Sequence, residues 1–250
     1  QAELQRFKSM IKRRVQHEPV AYIVGVKEFW SMAFHVAPEV LIPRPETECL
    51  IVEALAQPFR SFLDLGTGSG AIAVTLAAER SDASGMATDL SEQALVVAAQ
   101  NAATHGVADR IRFMASDWYQ AVSGTFDLIV SNPPYIAAAE MEALQPEVRL
   151  YEPRMALTDE GDGLGAYRII AAGAPDPRET TLEIPARKKP LQCPVPVRSP
   201  RTVLRLEAVR PLALDGLEVV VDQRPQRALL RPALLIGGAS HATRPEATGV

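Results

Sequence analysis

The run Ser61-Phe62-Leu63-Asp64-Leu65-Gly66-Thr67-Gly68-Ser69-Gly70-Ala71 constrains the fold more than any other part of the chain. A short apolar stretch stops at three alternating glycines and passes directly into an apolar segment, Ala71 to Arg80, of helical length. Glycines there let the backbone turn sharply and bring its N–H groups close to a ligand, as at the start of a βαβ unit. The pattern repeats: Gly85 to Thr88 reads as a strand ending at Asp89, and Ser91 to His105 as a helix with Ser91 as N-cap. Ile111 to Ala115 and Phe126 to Ser131 read as further strands, the last stopping at Asn132-Pro133-Pro134-Tyr135. Strands alternating with helices imply right-handed crossovers and an α/β fold with a doubly wound, mainly parallel sheet. Ligands of such sheets sit beyond the carboxyl ends of the strands, where each of these unusual loops falls. Upstream, Tyr22 to Val26 and Met32 to Val36 predict a small β-hairpin. Pro43, Pro45 and the capping-competent Thr47 then lead into a helix over Cys49 to Ala56.

Composition narrows the functional classes. A net charge of −4 gives no global basic field to draw the protein to nucleic acid or an anionic membrane. Cys49 and Cys193 stand alone, without a CxxC or Cys/His cluster, so neither a disulfide scaffold nor a metal site is expected. His17, His35, His105 and His241 are isolated and read as structural or surface residues. No apolar run of membrane-spanning length and no signal-peptide pattern occurs, so a cytoplasmic, monomeric protein without a membrane partner is expected. Because the chain opens on Gln1 rather than Met, residues preceding it are expected to be missing.

A seam lies near residue 174. All fourteen aromatic residues lie at or before Tyr167, whereas eleven of the 20 prolines lie after residue 173. Twelve of the 26 Lys and Arg, but only eight of the 30 acidic residues, also fall in that tail, which leaves the body strongly acidic. The prolines between 174 and 200 predict an irregular segment, while Leu217 to Val221 has the pattern of a strand.

A glycine turn alone is weak evidence for a ligand, and Gly66-x-Gly68-x-x-Ala71 also satisfies the relaxed fingerprint of a nicotinamide enzyme. Two carboxylates turn the reading of Gly66, Thr67, Gly68, Ser69 and Gly70 toward S-adenosylmethionine. Asp64 would repel a pyrophosphate, yet it can fix the loop or reach an ammonium group. Asp89, at the end of the next strand, is spaced to accept both ribose hydroxyls. Asp117 and Trp118 follow the third strand, where they read equally well as adenine contacts or as a capped turn with a core aromatic.

Asn132-Pro133-Pro134-Tyr135 is the sharpest signal. Two prolines freeze the loop and leave the Asn132 amide oxygen and the Pro133 carbonyl as aimed acceptors. An amide or exocyclic amine has a delocalised lone pair and attacks a sulfonium methyl only when its N–H bonds are oriented and polarised. Asn132 and Pro133 can hold those two N–H bonds, and Tyr135 can pack on the planar group.

These motifs together resemble the Rossmann-like class I methyltransferases that act on planar NH₂ groups. Several stretches separate the members of that set: His17-Glu18-Pro19, Tyr22-Ile23-x-Gly25, Glu28-Phe29 and Val40-Leu41-Ile42-Pro43-Arg44-Pro45-Glu46-Thr47-Glu48. With Ser116-Asp117-Trp118, Tyr151-Glu152-Pro153 and Gly161-x-Gly163-Leu164, they closely resemble the release factor glutamine methyltransferases over residues 10–173. The resemblance implies that Gly66 to Gly70, Asp89 and Trp118 bind S-adenosylmethionine. It implies that Asn132, Pro133, Pro134 and Tyr135 grip the glutamine of a release factor's Gly-Gly-Gln loop, and that Arg44, Glu46 and Glu48 shape the site entrance. It divides the chain into a remnant of a helical N-terminal domain (1–16), a hairpin and linker (17–48), the methyltransferase domain (49–173) and an atypical, poorly ordered tail (174–250). The tail departs from the family, as a shifted frame or misjoined segment would, and leaves the sheet incomplete on the side beyond its fourth strand. Two other readings remain: a nucleic-acid amino methyltransferase, which the acidic body opposes, and a non-catalytic S-adenosylmethionine-binding remnant.

Overall fold

A computed structural model describes residues 1–174 in full and, beyond them, the backbone of Arg210–Leu214, Leu217–Val221 and Leu234–Gly237. The irregular stretch expected at 174–200, most of the tail to 250, and His241 lie outside the described residues. Helix α1 (Ala2–Val15) carries Glu3 in its first turn and Lys12, Arg13 and Arg14 in its last, charges that suit the helix dipole. No helix among the described residues is long and apolar enough to cross a membrane.

The expected hairpin forms with its second strand in place and only its first strand displaced. Val20–Val24 forms a short helix, α2, opened by Pro19 and closed by Gly25, whose φ of +78° is a left-handed conformation that suits glycine. Burial overrides the β-rich composition here, because Tyr22 is buried and its hydroxyl donates to the Val40 carbonyl at 2.6 Å. The strands are β1 (Val26–Phe29) and β2 (Met32–His35), antiparallel, with Trp30 and Ser31 both at positive φ in the two-residue turn. Helix α3 (Glu48–Leu55) follows.

The central sheet has the parallel order β5-β4-β3-β6, with β3 at Ser61–Leu65, β4 at Ser84–Asp89, β5 at Ile111–Ala115 and β6 at Leu128–Ser131. Helices α4 (Ala71–Glu79) and α5 (Glu92–Thr104) make the crossovers, and Ser91 caps α5 by accepting from Ala94 N at 3.2 Å. Every residue from Ala71 to Ala77 is buried, because α4 packs against α3 and α5 as well as the sheet and its alanines permit close approach. Helices α6 (Pro146–Tyr151) and α7 (Gly165–Gly173) lie beyond β6 in sequence. On the side beyond β6, where the sheet was expected to be incomplete, Leu234–Gly237 (β9) runs antiparallel along β6, while Arg210–Leu214 (β7) and Leu217–Val221 (β8), the latter the expected strand, pair with each other.

Phe62, fully buried at the heart of the core, stands opposite Gly85 in the β3–β4 register. A Cβ on Gly85 would lie 2.2 Å from the Phe62 ring. Gly85→Ala is therefore expected to cost about 1–3 kcal/mol by overpacking, read as a lower urea midpoint with an unchanged slope; a parental midpoint would contradict this packing.

Candidate active site

The carboxyl ends of β3, β4, β5 and β6 open into one cavity of about 680 Å³. Gly66, Thr67, Gly68, Ser69, Asp89, Asp117, Trp118, Asn132, Pro133 and Pro134 all line it, so most of the expected site residues converge. Asp64, Gly70, Tyr135, Arg44 and Glu46 do not line it, and each has a different place.

Asp64 sits beneath the glycine loop with no exposure at all. Its Oδ2 accepts from Thr67 Oγ1 at 2.7 Å and Ala73 N at 3.3 Å, so the carboxylate fixes the loop from below. Its Oδ1 has no hydrogen-bond partner. Burial pushes this carboxyl up from its ordinary 3.8 to about 7, against the opposing hydrogen bonds from Thr67 and Ala73. A folded-state value above the unfolded one means that Asp64 favours folding at low pH and that this contribution is lost as pH rises from about 4 to about 7. Asp64→Asn should thus gain stability relative to the parent across that window. Parallel stability curves for the two proteins between pH 4 and 8 would contradict the burial.

Asp89 ends β4 and braces the loop from the side: its Oδ2 accepts from Gly68 N at 2.8 Å and its Oδ1 from Ser91 N at 2.9 Å. Gly68 has φ +56° with open space where a side chain would stand, so bare backbone faces the cavity there. Burial raises the Asp89 carboxyl, and the amides of Ser91, Gly68 and Leu90 oppose that rise. After β5, Trp118 lines the cavity while its ring packs on the core cluster of Leu63, Met86 and Ile129. Its left-handed φ of +48° is held by Ser116, whose Oγ donates to Trp118 O at 2.8 Å and accepts from Ala121 N at 3.0 Å. Asp117 is exposed at the wall and accepts from Gln120 Nε2 at 2.9 Å.

On the opposite side, Asn132 follows β6, and its Nδ2 donates to Thr47 Oγ1 at 3.4 Å, which turns Oδ1 away from Thr47. Ser131 Oγ donates to the Leu65 carbonyl at 2.7 Å and so ties this loop to the strand that carries the glycines. Tyr135 packs with Ile136, Met141, Leu144 and Leu157, where it supports the loop from behind. Residues 39–47 roof the cavity, contributing Glu39, Val40, Leu41, Pro43 and Thr47. Arg44 anchors that roof through an ion pair with Glu152 at 2.6 Å, and Glu152 also accepts from Ile42 N at 3.3 Å. The Glu152 side chain is only 1% exposed. Burial pushes its carboxyl up while the Arg44 guanidinium pulls it down. Glu46 is exposed, and Glu48 accepts from Trp30 N at 2.9 Å, so Glu48 braces the hairpin turn rather than the entrance.

The cavity wall is electronegative. Glu39, Asp89, Asp117, Asp159 and Glu160 line it, and Arg154, a cation on the wall, is paired with Glu160 at 2.8 Å. A cationic ligand suits these walls better than a pyrophosphate. Among the described residues, no group of three or more His, Cys, Asp or Glu side chains is placed to hold a metal ion.

The Methyltransferase small domain model matches residues 46–162, and the PrmC N-terminal domain model matches residues 1–25. The release factor glutamine methyltransferase of Cereibacter sphaeroides is 59% identical over 170 residues, 68% of this chain and 61% of that protein. The chain belongs to the release factor glutamine methyltransferase family. The family member from Nitratidesulfovibrio vulgaris is 51% identical over 174 residues, 67% of this chain and 59% of that protein, so the chain spans about three-fifths of the length of these relatives. Among solved structures, the hMettl16 catalytic domain in complex with a 3'UTR hairpin matches with a TM-score of 0.50 at 18% identity, covering 63% of each chain, a likeness of fold.

Three site residues of this family member escape a reading of the sequence. Asn101, 1% exposed on α5, donates to the Ser69 carbonyl at 2.8 Å and the His35 carbonyl at 3.0 Å, and accepts from His35 N at 2.7 Å. It ties the glycine loop to the hairpin. The only signal for it is an asparagine in the middle of an apolar-periodic helix, a position asparagine disfavours unless its amide is satisfied. Glu152 and Thr47 are the others; both lie inside the family-like stretches, yet the partner that each side chain bonds across the site is far away in sequence.

Proposed function

We propose that this chain transfers a methyl group from S-adenosylmethionine to the side-chain amide nitrogen of the glutamine in the Gly-Gly-Gln motif of a peptide chain release factor. The observation that carries the reading is that Asn132 and Pro133 open into the same cavity as Gly66 to Ser69 and Asp89. The donor set fits the cofactor: bare backbone at Gly68, a carboxylate at Asp89 for a ribose diol, Leu90 and Trp118 as apolar walls for a purine, and no unpaired cation on the wall to hold a phosphate. S-adenosylmethionine supplies an electrophilic methyl on a sulfonium, whose positive charge the acidic walls favour.

The chain's own residues do the positioning. Asn132 Oδ1 and the Pro133 carbonyl each accept one N–H of the glutamine amide, which orients the nitrogen lone pair toward the methyl. As the nitrogen–carbon bond forms and the carbon–sulfur bond breaks, positive charge grows on the nitrogen, and these two oxygens stabilise it without reorganising. The extra proton is strongly acidic once the methyl is in place and is lost to solvent as the product leaves the site, so the site needs no strong base. The roof over 39–47, clamped by Arg44 and Glu152, keeps bulk water off the reacting atoms.

The test is transfer of labelled methyl from S-adenosylmethionine to a release factor, run beside a release factor with that glutamine replaced by glutamate. Label on the first and none on the second is expected. Equal label on both would overturn the substrate assignment.

A further inference from the structure

We infer that Thr47 is a positioning residue of the methyl-transfer site, acting through the side chain of Asn132; this rests on the reading of Asn132 as a residue that grips the substrate amide. Thr47 stands at the start of α3, where a threonine ordinarily turns its oxygen back onto the second or third N–H of the helix. Here it makes no such bond. It is 8% exposed, faces the cavity, and its oxygen instead takes the Asn132 Nδ2 hydrogen at 3.4 Å.

The chemistry of an asparagine amide makes that partner matter. Its oxygen and nitrogen ends have nearly the same shape, so hydrogen bonds rather than packing decide which end faces the substrate. A substrate NH₂ can be held only by the oxygen end, which forces Nδ2 to the other side. Thr47 supplies an acceptor there, so the gripping orientation leaves no donor stranded in a half-buried position. The acceptor is itself held in place. Thr47 N donates to the Arg44 carbonyl at 3.0 Å, and Arg44 is locked to the buried Glu152 at 2.6 Å. The capping-competent threonine of the sequence is thus the last link of a chain from Glu152 through Arg44 to the reacting amide.

The experiment measures kcat and KM for a release factor, S-adenosylmethionine affinity and the melting midpoint of the full chain, its Thr47→Val and Thr47→Ala variants and Thr47→Ser. Both variants lacking the oxygen are expected to lower kcat about tenfold, the worth of one positioning hydrogen bond, with cofactor affinity unchanged and a single cooperative melting transition retained. Thr47→Ser, which keeps the oxygen, is expected to stay within about twofold of the parent. Parental kcat in either Val or Ala overturns the inference and leaves the reading of Asn132 standing. Loss in Thr47→Ser equal to that in Thr47→Val also overturns it, because the methyl would then matter rather than the oxygen. A parent that binds S-adenosylmethionine but methylates no release factor removes the reading of Asn132, and this inference with it.

Discussion

Asn132→Ala is expected to lower methyl transfer to a release factor on the order of 10²–10³-fold while leaving S-adenosylmethionine affinity within about twofold. The asymmetry follows from where Asn132 stands. It closes the far side of the cavity, after β6, and no hydrogen bond joins it to the glycine loop or to Asp89. Its oxygen has work only when a reacting NH₂ is present and gaining charge, so its loss acts on the transition state rather than on cofactor binding. Single-turnover rates together with calorimetric cofactor affinity separate the two effects. A variant that retains parental rates would remove Asn132 from the chemistry, and one that loses cofactor affinity to the same degree would make it a binding residue.

The second large effect is expected at Asp89. Asp89→Ala should weaken S-adenosylmethionine binding about 100-fold, the loss of two charge-assisted hydrogen bonds to a ribose diol discounted for partial exposure. Two further contacts go with it, since the carboxylate braces Gly68 N at 2.8 Å and Ser91 N at 2.9 Å, so the glycine loop loses its lateral support. Asp89→Asn keeps one acceptor and should fall between parent and alanine, at about tenfold. Titration of the three proteins checks the order; affinity unchanged in Asp89→Ala would show that the ribose does not sit at the end of β4.

Much of this arrangement was legible because parallel strands covered on both faces read as short apolar runs, and each here ends at, or within two residues before, a glycine, an aspartate or a proline. Leu63, Leu65 and Val130 announced their strands in that way, and Ser91 announced its helix by its cap. The residues whose roles came out otherwise depend on partners that sequence spacing does not reveal. Tyr22 belongs to a β-rich run, yet its hydroxyl bond to Val40 and the left-handed Gly25 make that run a helical turn. Asp64 could face a ligand or fix the loop, and only the path of α4 over it, with Ala73 N at 3.3 Å, decides for the loop. Thr47 looked like a helix cap because a cap is local, whereas its observed partner, Asn132, lies 85 residues away. Arg44 was placed at the entrance by the family resemblance alone, and its clamp on Glu152, 108 residues distant, is likewise invisible to sequence spacing. Local rules located the loops, and long-range pairs determined which side chains line the cavity and which hold its walls.

The most direct test of the central claim is to incubate the chain with methyl-labelled S-adenosylmethionine and a release factor, digest the product and locate the label by peptide mass spectrometry. A single methyl on the side chain of the Gly-Gly-Gln glutamine is the expected result. Cofactor binding without label on that peptide, or label confined to other residues, would contradict it.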